Sequence, residues 1–391
     1  MKDLLELRDE IDKIDNQIVE LYEKRMEVAE GVAQYKIANH KPVFDREREH
    51  QKLVTLSAKA HSDFNRNGIR ELFDQIMAMS RKKQYQLLNE NGIREEIGFT
   101  PVDELDFENA RIVFQGVEGA YSEQAMKEYF GSHCDNYHVD TWKDAMEAIK
   151  NGDADYAVLP IENSSAGIVS ENYDLMVAYD NYIVGEQIIP IEHALLGLPT
   201  AELSDISTVY SHPQALMQCG EYFEEHRSWD KISLKNTAMA AKKVKDDGIA
   251  SQAAIASKIT ADIYGLKVLE NAIQDNKNNK TRFIIVTGKK IYRKNAGRMS
   301  ICFEIPHESG SLYRMLSHFI YNNLNMTNIQ SRPIGDRNWE YRFFVDFEGT
   351  FEDTAVQNAL RGLREETTYL KILGTCLLYT SPSPRDLSTS R

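Results

Sequence analysis

Residues 155–167, DYAVLPIENSSAG, place a carboxylate, an amide and two hydroxyls side by side at Glu162, Asn163, Ser164 and Ser165, directly after an apolar run and a proline. Such a cluster can hold a polar ligand and hydrogen-bond a reacting oxygen. It can equally cap a helix, since Asn and Ser serve helix N-termini and Gly167 permits a tight turn. Three further sets carry chemical potential. In the N-terminal quarter, Arg8, Arg25 and Lys36 punctuate an apolar stripe, Asp45, Arg48 and Glu49 fall within one turn, and Ser80 and Gln84 stand at i,i+4. Cations so placed suit a ligand with carboxylates, although a snorkelling arginine or a solvated polar face is the ordinary reading. Ser211-His212-Pro213-Gln214, followed by Gln218, forms a polar turn whose histidine is more often structural than catalytic. Thr281 and Arg282 open a strand with the polar entrance Asn278-Asn279-Lys280.

The elements that must position these groups change character along the chain. Leu4, Leu7, Ile11, Ile14, Ile18, Leu21, Val28, Val32 and Tyr35 keep a helical spacing, which predicts one long amphipathic helix. A second helix is expected from near Asp45 and a third after an Asn67-Gly68 turn. Helices so unequal cannot enclose a core, so the long one projects, and its stripe calls for a second copy of the chain. Lys36 lies about 16 Å beyond Arg25 on this helix. Arg8 lies about 25 Å before it, which places Arg8 in the partner's site if it serves one. Residues 89–109 lose the periodicity and read as an acidic linker. From Arg111 strands and helices alternate, with Tyr156 to Leu159 as a buried parallel strand whose carboxyl end is where ligands of open α/β sheets bind. Two such lobes with a return crossing imply a cleft. The glycine-rich turn 115–122 could receive an anion, but it lacks the GxGxxG and Walker spacings, which argues against NAD or ATP. Residues 297–374 follow a βαββαβ order, which is ferredoxin-like.

Composition bounds the partners. The formal charge is -14, which disfavours nucleic acid or an anionic membrane, while residues 1–87 balance 16 Lys+Arg against 16 Asp+Glu. The four cysteines are scattered without metal-ligand spacing, the first residues do not form a signal peptide, and no apolar run is long enough to span a membrane. A cytoplasmic protein is expected.

The helical segment, with Arg8, Arg25, Lys36, the pattern PVxDxxRE around Asp45, Arg48 and Glu49, and then Ser80 and Gln84, resembles the all-helical chorismate mutases, in particular those fused to a prephenate dehydratase. The resemblance implies a dimeric three-helix domain over 1–88. Arg8, Arg25 and Arg48 would hold carboxylates, Lys36 and Gln84 the breaking ether oxygen, and Asp45 and Glu49 the ring hydroxyl. GVEGAYS, PIENSSAG, SHPQ and TRF resemble prephenate dehydratase in order and spacing, implying a two-lobed α/β domain over 110–290. Thr281 would be its catalytic hydroxyl, with Glu162, Asn163, Ser164, Ser211, Gln214, Gln218 and Arg282 around prephenate. Residues 297–374 resemble the ACT regulatory domain, with Gly310-Ser311-Leu312 and Gln330-Ser331-Arg332-Pro333 where the family binds phenylalanine. Gln330 replaces the family's usual glutamate. The implied whole is a bifunctional enzyme of phenylalanine biosynthesis, using no cofactor or metal and forming a homodimer or a larger homo-oligomer. The competing reading is an amino-acid-sensing or solute-binding protein without catalysis. Residues 375–391, rich in Ser and Pro, depart from the resemblance and read as a disordered, non-native tail.

Overall fold

The computed structural model describes residues 3–93, 97–335 and 337–377. In chain order the helices are α1 (Leu4–Ala38), α2 (Arg46–Ser57), α3 (Asp63–Glu90), α4 (Tyr121–Phe130), α5 (Trp142–Asn151), α6 (Ser170–Ala178), α7 (Pro213–Met217), α8 (Gly220–Glu225), α9 (Thr237–Asp247), α10 (Lys258–Tyr264), α11 (Ser311–Tyr321) and α12 (Thr354–Glu366). The strands are β1 (Thr100–Val102), β2 (Arg111–Gln115), β3 (Asp135–Val139), β4 (Tyr156–Asn163), β5 (Gly167–Ile168), β6 (Tyr182–Pro190), β7 (Ala194–Gly197), β8 (Thr208–Ser211) and β9 (Asp230–Ser233). They continue with β10 (Gln252–Ala256), β11 (Lys267–Glu270), β12 (Lys280–Thr287), β13 (Ile291–Arg293), β14 (Arg298–Glu304), β15 (Met326–Pro333), β16 (Tyr341–Glu348) and β17 (Tyr369–Cys376). The described residues form two compact units, one of 3–93, 97, 303–326 and 351–370, the other of 98–302, 327–335, 337–350 and 371–377.

The first unit is helical. Asp3 and Glu6 close a capping box at the start of α1, Asp45 accepts from the Arg48 amide to cap α2, and Ser62 accepts from Asn65 to cap α3. Asn67 and Gly68 therefore lie inside α3 and not in a turn before it, because the Ser62 cap sets an earlier start. Only Ala29 and Ala33 of α1 are buried, and Ile11, Ile14 and Ile18 are 55, 55 and 51% exposed. Within this chain the stripe of the projecting helix is uncovered.

The second unit holds two sheets that matter for function. One has the order β15-β16-β14-β17-β6-β12-β4-β2-β3, with β5 turned back onto β4, and the other β11-β7-β10-β8-β9. Apolar residues that alternate along β2, β4 and β12, such as Ile112, Phe114, Val158, Phe283 and Ile285, form the core of the first lobe with α4. Small residues let the second lobe pack tightly on both faces, with Ala254 and Ala256 under α9 and Ala253 and Ile255 beneath α7 and α8. The segment β14-α11-β15-β16-α12-β17 has the βαββαβ chain order, and its strands take the ferredoxin-like order within the first sheet. Its last strand joins that sheet to β6 through Gly374 opposite Ile183. Gly374 sits at φ 138°, and a Cβ there would fall 2.0 Å from the Ile183 carbonyl oxygen. Only glycine fits this seam.

Two boundaries differ from expectation. The linker region is structured from Phe99, since β1 pairs in parallel with β13, Leu105 is buried and Phe107 packs against the first core. Its apolar residues outweigh its acidic composition. Thr375 and Cys376 complete β17 and are buried, so the strand outlasts the resemblance by two residues, and 378–391 lie outside the described residues.

Candidate active sites

In the helical unit, Arg25 and Lys36 from α1, Asp45, Arg48 and Glu49 at the start of α2, and Ser80 and Gln84 from α3 line one pocket of about 480 Å³. That size suits a small ligand. Arg8 is absent from its lining, as the length of α1 requires. Arg25 donates to the Ser80 hydroxyl and to the Ile76 carbonyl at 3.4 Å, and Lys36 donates to the Val43 carbonyl. Burial lowers the pKa of both cations, against the opposing pull of Glu49. Gln84 donates to the Ser80 carbonyl at 3.2 Å, and its Oε1 has no hydrogen-bond partner among the described residues.

Glu49 is more engaged than its sequence position suggests. Buried Arg81 of α3 pairs with it and, at 2.8 Å, with Glu366 of α12, while its guanidinium lies 4.9 Å from the centre of the Phe44 ring. Burial still raises the Glu49 pKa above the ordinary carboxylate value, because it outweighs Arg81. At Glu366 burial acts upward too, but the His318 hydrogen bond and Arg81 prevail and the pKa falls. Arg81 escaped the sequence reading because an arginine inside a charged helix run carries no sign of burial.

In the α/β unit, the register of β4 and β12 sets Asn163 opposite Thr281 and Glu162 opposite Arg282. The cluster after Pro160 is thus the end of a strand and the turn beyond it, not a helix cap. Asn163 Oδ1 accepts from the amides of Ser165 and Ala166 at 3.0 and 2.8 Å, which fixes the side chain's orientation. Its Nδ2 then donates to Thr281 Oγ1 at 2.9 Å and to Asn279 Oδ1 at 2.8 Å. Ser164 receives the Lys280 amide at 2.9 Å. Asn279, only 2% exposed, belongs to this network although its sequence context marked only a polar strand entrance.

Arg282 and Glu162, expected beside Thr281, face away from it, because successive strand residues point to opposite sides. Arg282 donates to Asp346 at 3.1 and 3.2 Å, and lies 3.5 Å from Glu186 and 3.4 Å from Glu162. Burial, which would lower its pKa, is outweighed by Asp346 and Glu186, so Arg282 stays charged as a structural cation.

The second lobe contributes the SHPQ turn. Ser211 is fully buried and donates to the Ile255 carbonyl at 2.7 Å. His212 caps α7 by accepting from the Gln214 amide at 3.2 Å, the ordinary structural role. Gln214 stands half-buried on the first turn of α7, and Gln218 meets His193 at 2.9 Å. The glycine-rich turn is occupied by its own chain. Glu123 takes the Gly119 amide at 2.6 Å, and Thr260 and Tyr264 of the second lobe donate to the Gly119 and Glu118 carbonyls at 3.1 and 2.9 Å. It is a clasp between lobes where an anion site was expected.

Of the residues expected to bind an effector, Gly310 takes φ 80° before α11 and Ser311 is buried. Gln330 donates to Asn328 at 3.2 Å on β15, with Ser331 and Pro333 exposed. Arg332 forms a two-point ion pair with Asp174 of α6. Among the described residues no group of His, Cys, Asp and Glu could hold a metal ion, and no helix is long and apolar enough to cross a membrane.

Comparison with known proteins agrees with two functional modules. Residues 7–85 match the family model for chorismate mutase type II, and residues 112–291 that for prephenate dehydratase. The chain is 34% identical over 380 residues to the bifunctional chorismate mutase/prephenate dehydratase of Buchnera aphidicola subsp. Schizaphis graminum (strain Sg), covering 95% of this chain and 96% of that one. Against the protein of the same name from Escherichia coli (strain K12), it is 33% identical over 379 residues, covering 95% of each. The solved prephenate dehydratase of Arthrobacter aurescens in complex with L-Phe aligns with a TM-score of 0.65 and 29% identity, covering 70% of this chain and 92% of that one. With both modules matched in order and relatives of 33–34% identity spanning nearly its whole length, the chain belongs to the bifunctional chorismate mutase/prephenate dehydratase family.

Proposed function

We propose that the helical pocket rearranges chorismate to prephenate and that the α/β cleft converts prephenate to phenylpyruvate, with Thr281 assisting the departing ring oxygen. Both activities, an isomerase and a carbon-oxygen lyase, are those of the family. A binding or sensing protein without catalysis is not favoured.

The rearrangement is a one-substrate pericyclic shift and needs no nucleophile. The pocket's contribution is to hold the reactive conformer and to stabilise charge on the ether oxygen. Arg25 and Arg48, with a partner's Arg8, would hold the two carboxylates, and Lys36 and Gln84 would face the oxygen. Asp45 and Glu49 remain candidates for the ring hydroxyl, one oxygen of each being already engaged.

In the dehydratase step the C–CO2 bond breaks, its electron pair enters the ring as CO2 leaves, and the C4–O bond breaks with the oxygen departing as water after taking up a proton. One observation carries the assignment of Thr281. Asn163 is locked so that its Nδ2 donates to Thr281 Oγ1, which leaves the threonine's own proton free to point at the substrate. A threonine is a poor free acid, so its role is to hydrogen-bond the leaving oxygen. Ser164, Gln214 and Gln218 would complete the shell, while Ser211, expected among them, is fully buried and would hold the turn that carries Gln214. Thr281→Ala should lower kcat by about 10²–10⁴-fold with a smaller rise in KM, while Thr281→Ser retains much more. Normal turnover by the alanine variant would move the duty to another group in the cleft.

Phenylalanine is proposed as feedback effector through an ACT domain over 297–374. Supporting this are the βαββαβ order, the L-Phe named with the Arthrobacter enzyme, and the Arg332–Asp174 pair, which ties β15 to the helix following PIENSSAG. The exposed stripe of α1 supports a homodimer or larger homo-oligomer. The thiols of Cys134, Cys219 and Cys376 fit a cytoplasmic setting.

A further inference from the structure

Where the chain crosses from the first lobe to the second, His193 is only 2% exposed and bonded on every polar side. Its amide donates to Gln274 Oε1 at 2.9 Å, and its carbonyl accepts from Ile273 at 3.0 Å, so the outgoing and returning crossings are stitched together at this residue. Its ring bridges the Tyr121 hydroxyl of α4, at 3.1 Å from Nδ1, and the Gln218 side-chain amide of the second lobe, placed with Oε1 at 2.9 Å from Nε2.

The order of protons along this chain follows from what each group can accept. The Glu192 carbonyl can only accept, and at 2.7 Å from the Tyr121 hydroxyl it must receive that group's single proton. Tyr121 oxygen is then the acceptor toward His193, so Nδ1 must carry the hydrogen. Burial lowers the His193 pKa against the opposing Gln218 bond, which favours the neutral ring, and a neutral ring with a proton on Nδ1 has a bare Nε2. A bare nitrogen requires a donor from Gln218. The Gln218 amide therefore takes the other of its two near-symmetric orientations, with its NH2 and not Oε1 toward the ring, since the network and not the shape of the amide decides between them.

From this juxtaposition we infer that His193, held by Tyr121, is a positioning residue that fixes the Gln218 amide with its carbonyl oxygen directed to the substrate as an acceptor. The inference deepens the dehydratase reading and rests on Gln218 lining the cleft. Prephenate offers an acceptor one partner, since its carboxylates and ketone can only accept and its ring hydroxyl alone can donate. Gln218 would thus hold the hydroxyl proton and turn the oxygen's lone pair toward Thr281, giving the leaving group a donor and an acceptor of opposite polarity.

The test combines spectroscopy and kinetics on the full chain. Nitrogen-15 NMR of histidine-labelled protein, with His193→Phe to assign the signal, should show Nδ1 protonated and Nε2 bare. The opposite tautomer, or a doubly protonated ring at neutral pH, overturns the inference. His193→Phe keeps a ring but offers no acceptor and should lower dehydratase kcat by about tenfold or more, with KM changed less than about threefold, the effect of one misaligned hydrogen bond. His193→Gln, whose carbonyl oxygen can reach the place of Nε2, should regain most of the loss. Equal loss in both variants would reduce His193 to a packing residue. The tautomer is read without turnover, and the Thr281 variants test the cleft independently, so failure of this inference and failure of the site assignment remain distinguishable.

Discussion

The helical pocket and the α/β cleft hold their polar groups in opposite ways. In the pocket the cations are brought close by helices and kept partly dry, while the wall beside them is the uncovered stripe of α1, including Val28, Val32 and Tyr35. Arg8 stands about 25 Å along the same helix from Arg25. In the cleft, hydrogen bonds within the chain fix Asn163 and Thr281 before any ligand arrives, and His193 ties the crossings. One site is organised by its own chain, and the other, under the proposed dimer, would be completed by a second copy. On that reading the two centres are assembled by different means, one by folding and one by association.

The largest test of that contrast is Lys36→Ala. It should lower the mutase rate by about 10²-fold or more and leave dehydration nearly unchanged, because the stabilisation of the ether oxygen proposed for Lys36 belongs to one module only. Matched losses in both activities would break the comparison. Since burial lowers the Lys36 pKa, its charge is lost before that of an ordinary lysine. The native mutase rate should accordingly fall on the alkaline side below pH 10.5 with no matching limb for Lys36 in the dehydratase profile.

Mixing Arg8→Ala and Lys36→Ala chains gives a smaller but more specific effect. With free exchange half the dimers are mixed, and each has one intact composite site, so mutase activity should recover to about a quarter of native. No recovery after demonstrated exchange would place Arg8 outside the partner's site. Smallest is the effector effect. Gln330→Glu restores a full charge to the proposed phenylalanine site and should lower the half-inhibiting concentration by about threefold to tenfold, read from a titration of dehydratase rate. An unchanged titration would remove residue 330 from recognition.

What was legible in the sequence follows a physical division. Periodicity exposed α1, and the alternation of apolar and polar segments exposed the two-lobed sheet, because both patterns are local. The PIENSSAG and TRF motifs named Asn163 and Thr281, which the register of β4 and β12 sets opposite each other. Arg282, expected in the same shell, turns to the other face, because a motif names neighbours in sequence whereas a strand sends neighbours to opposite sides. His193, Asn279 and Arg81 were missed for a different reason. Their partners Tyr121, Asn163 and Glu366 are 72, 116 and 285 residues away, and burial of a polar side chain leaves no local trace. The third helix was placed late because a turn dipeptide outweighed the Ser62 cap that sets its start.

The glycine seam at Gly374 makes β17 the guard of an edge. β6 is long and largely buried, and the strand beyond it on that side belongs to the ferredoxin-like segment. Removing residues 298–377 would uncover β6 around Ile183, where β17 meets it, and leave a buried apolar strand at an edge, the condition under which sheets recruit other chains. A shortened dehydratase should show concentration-dependent association even while its cleft remains chemically complete. On that expectation the segment proposed to sense the end product would also shield this edge of the catalytic sheet.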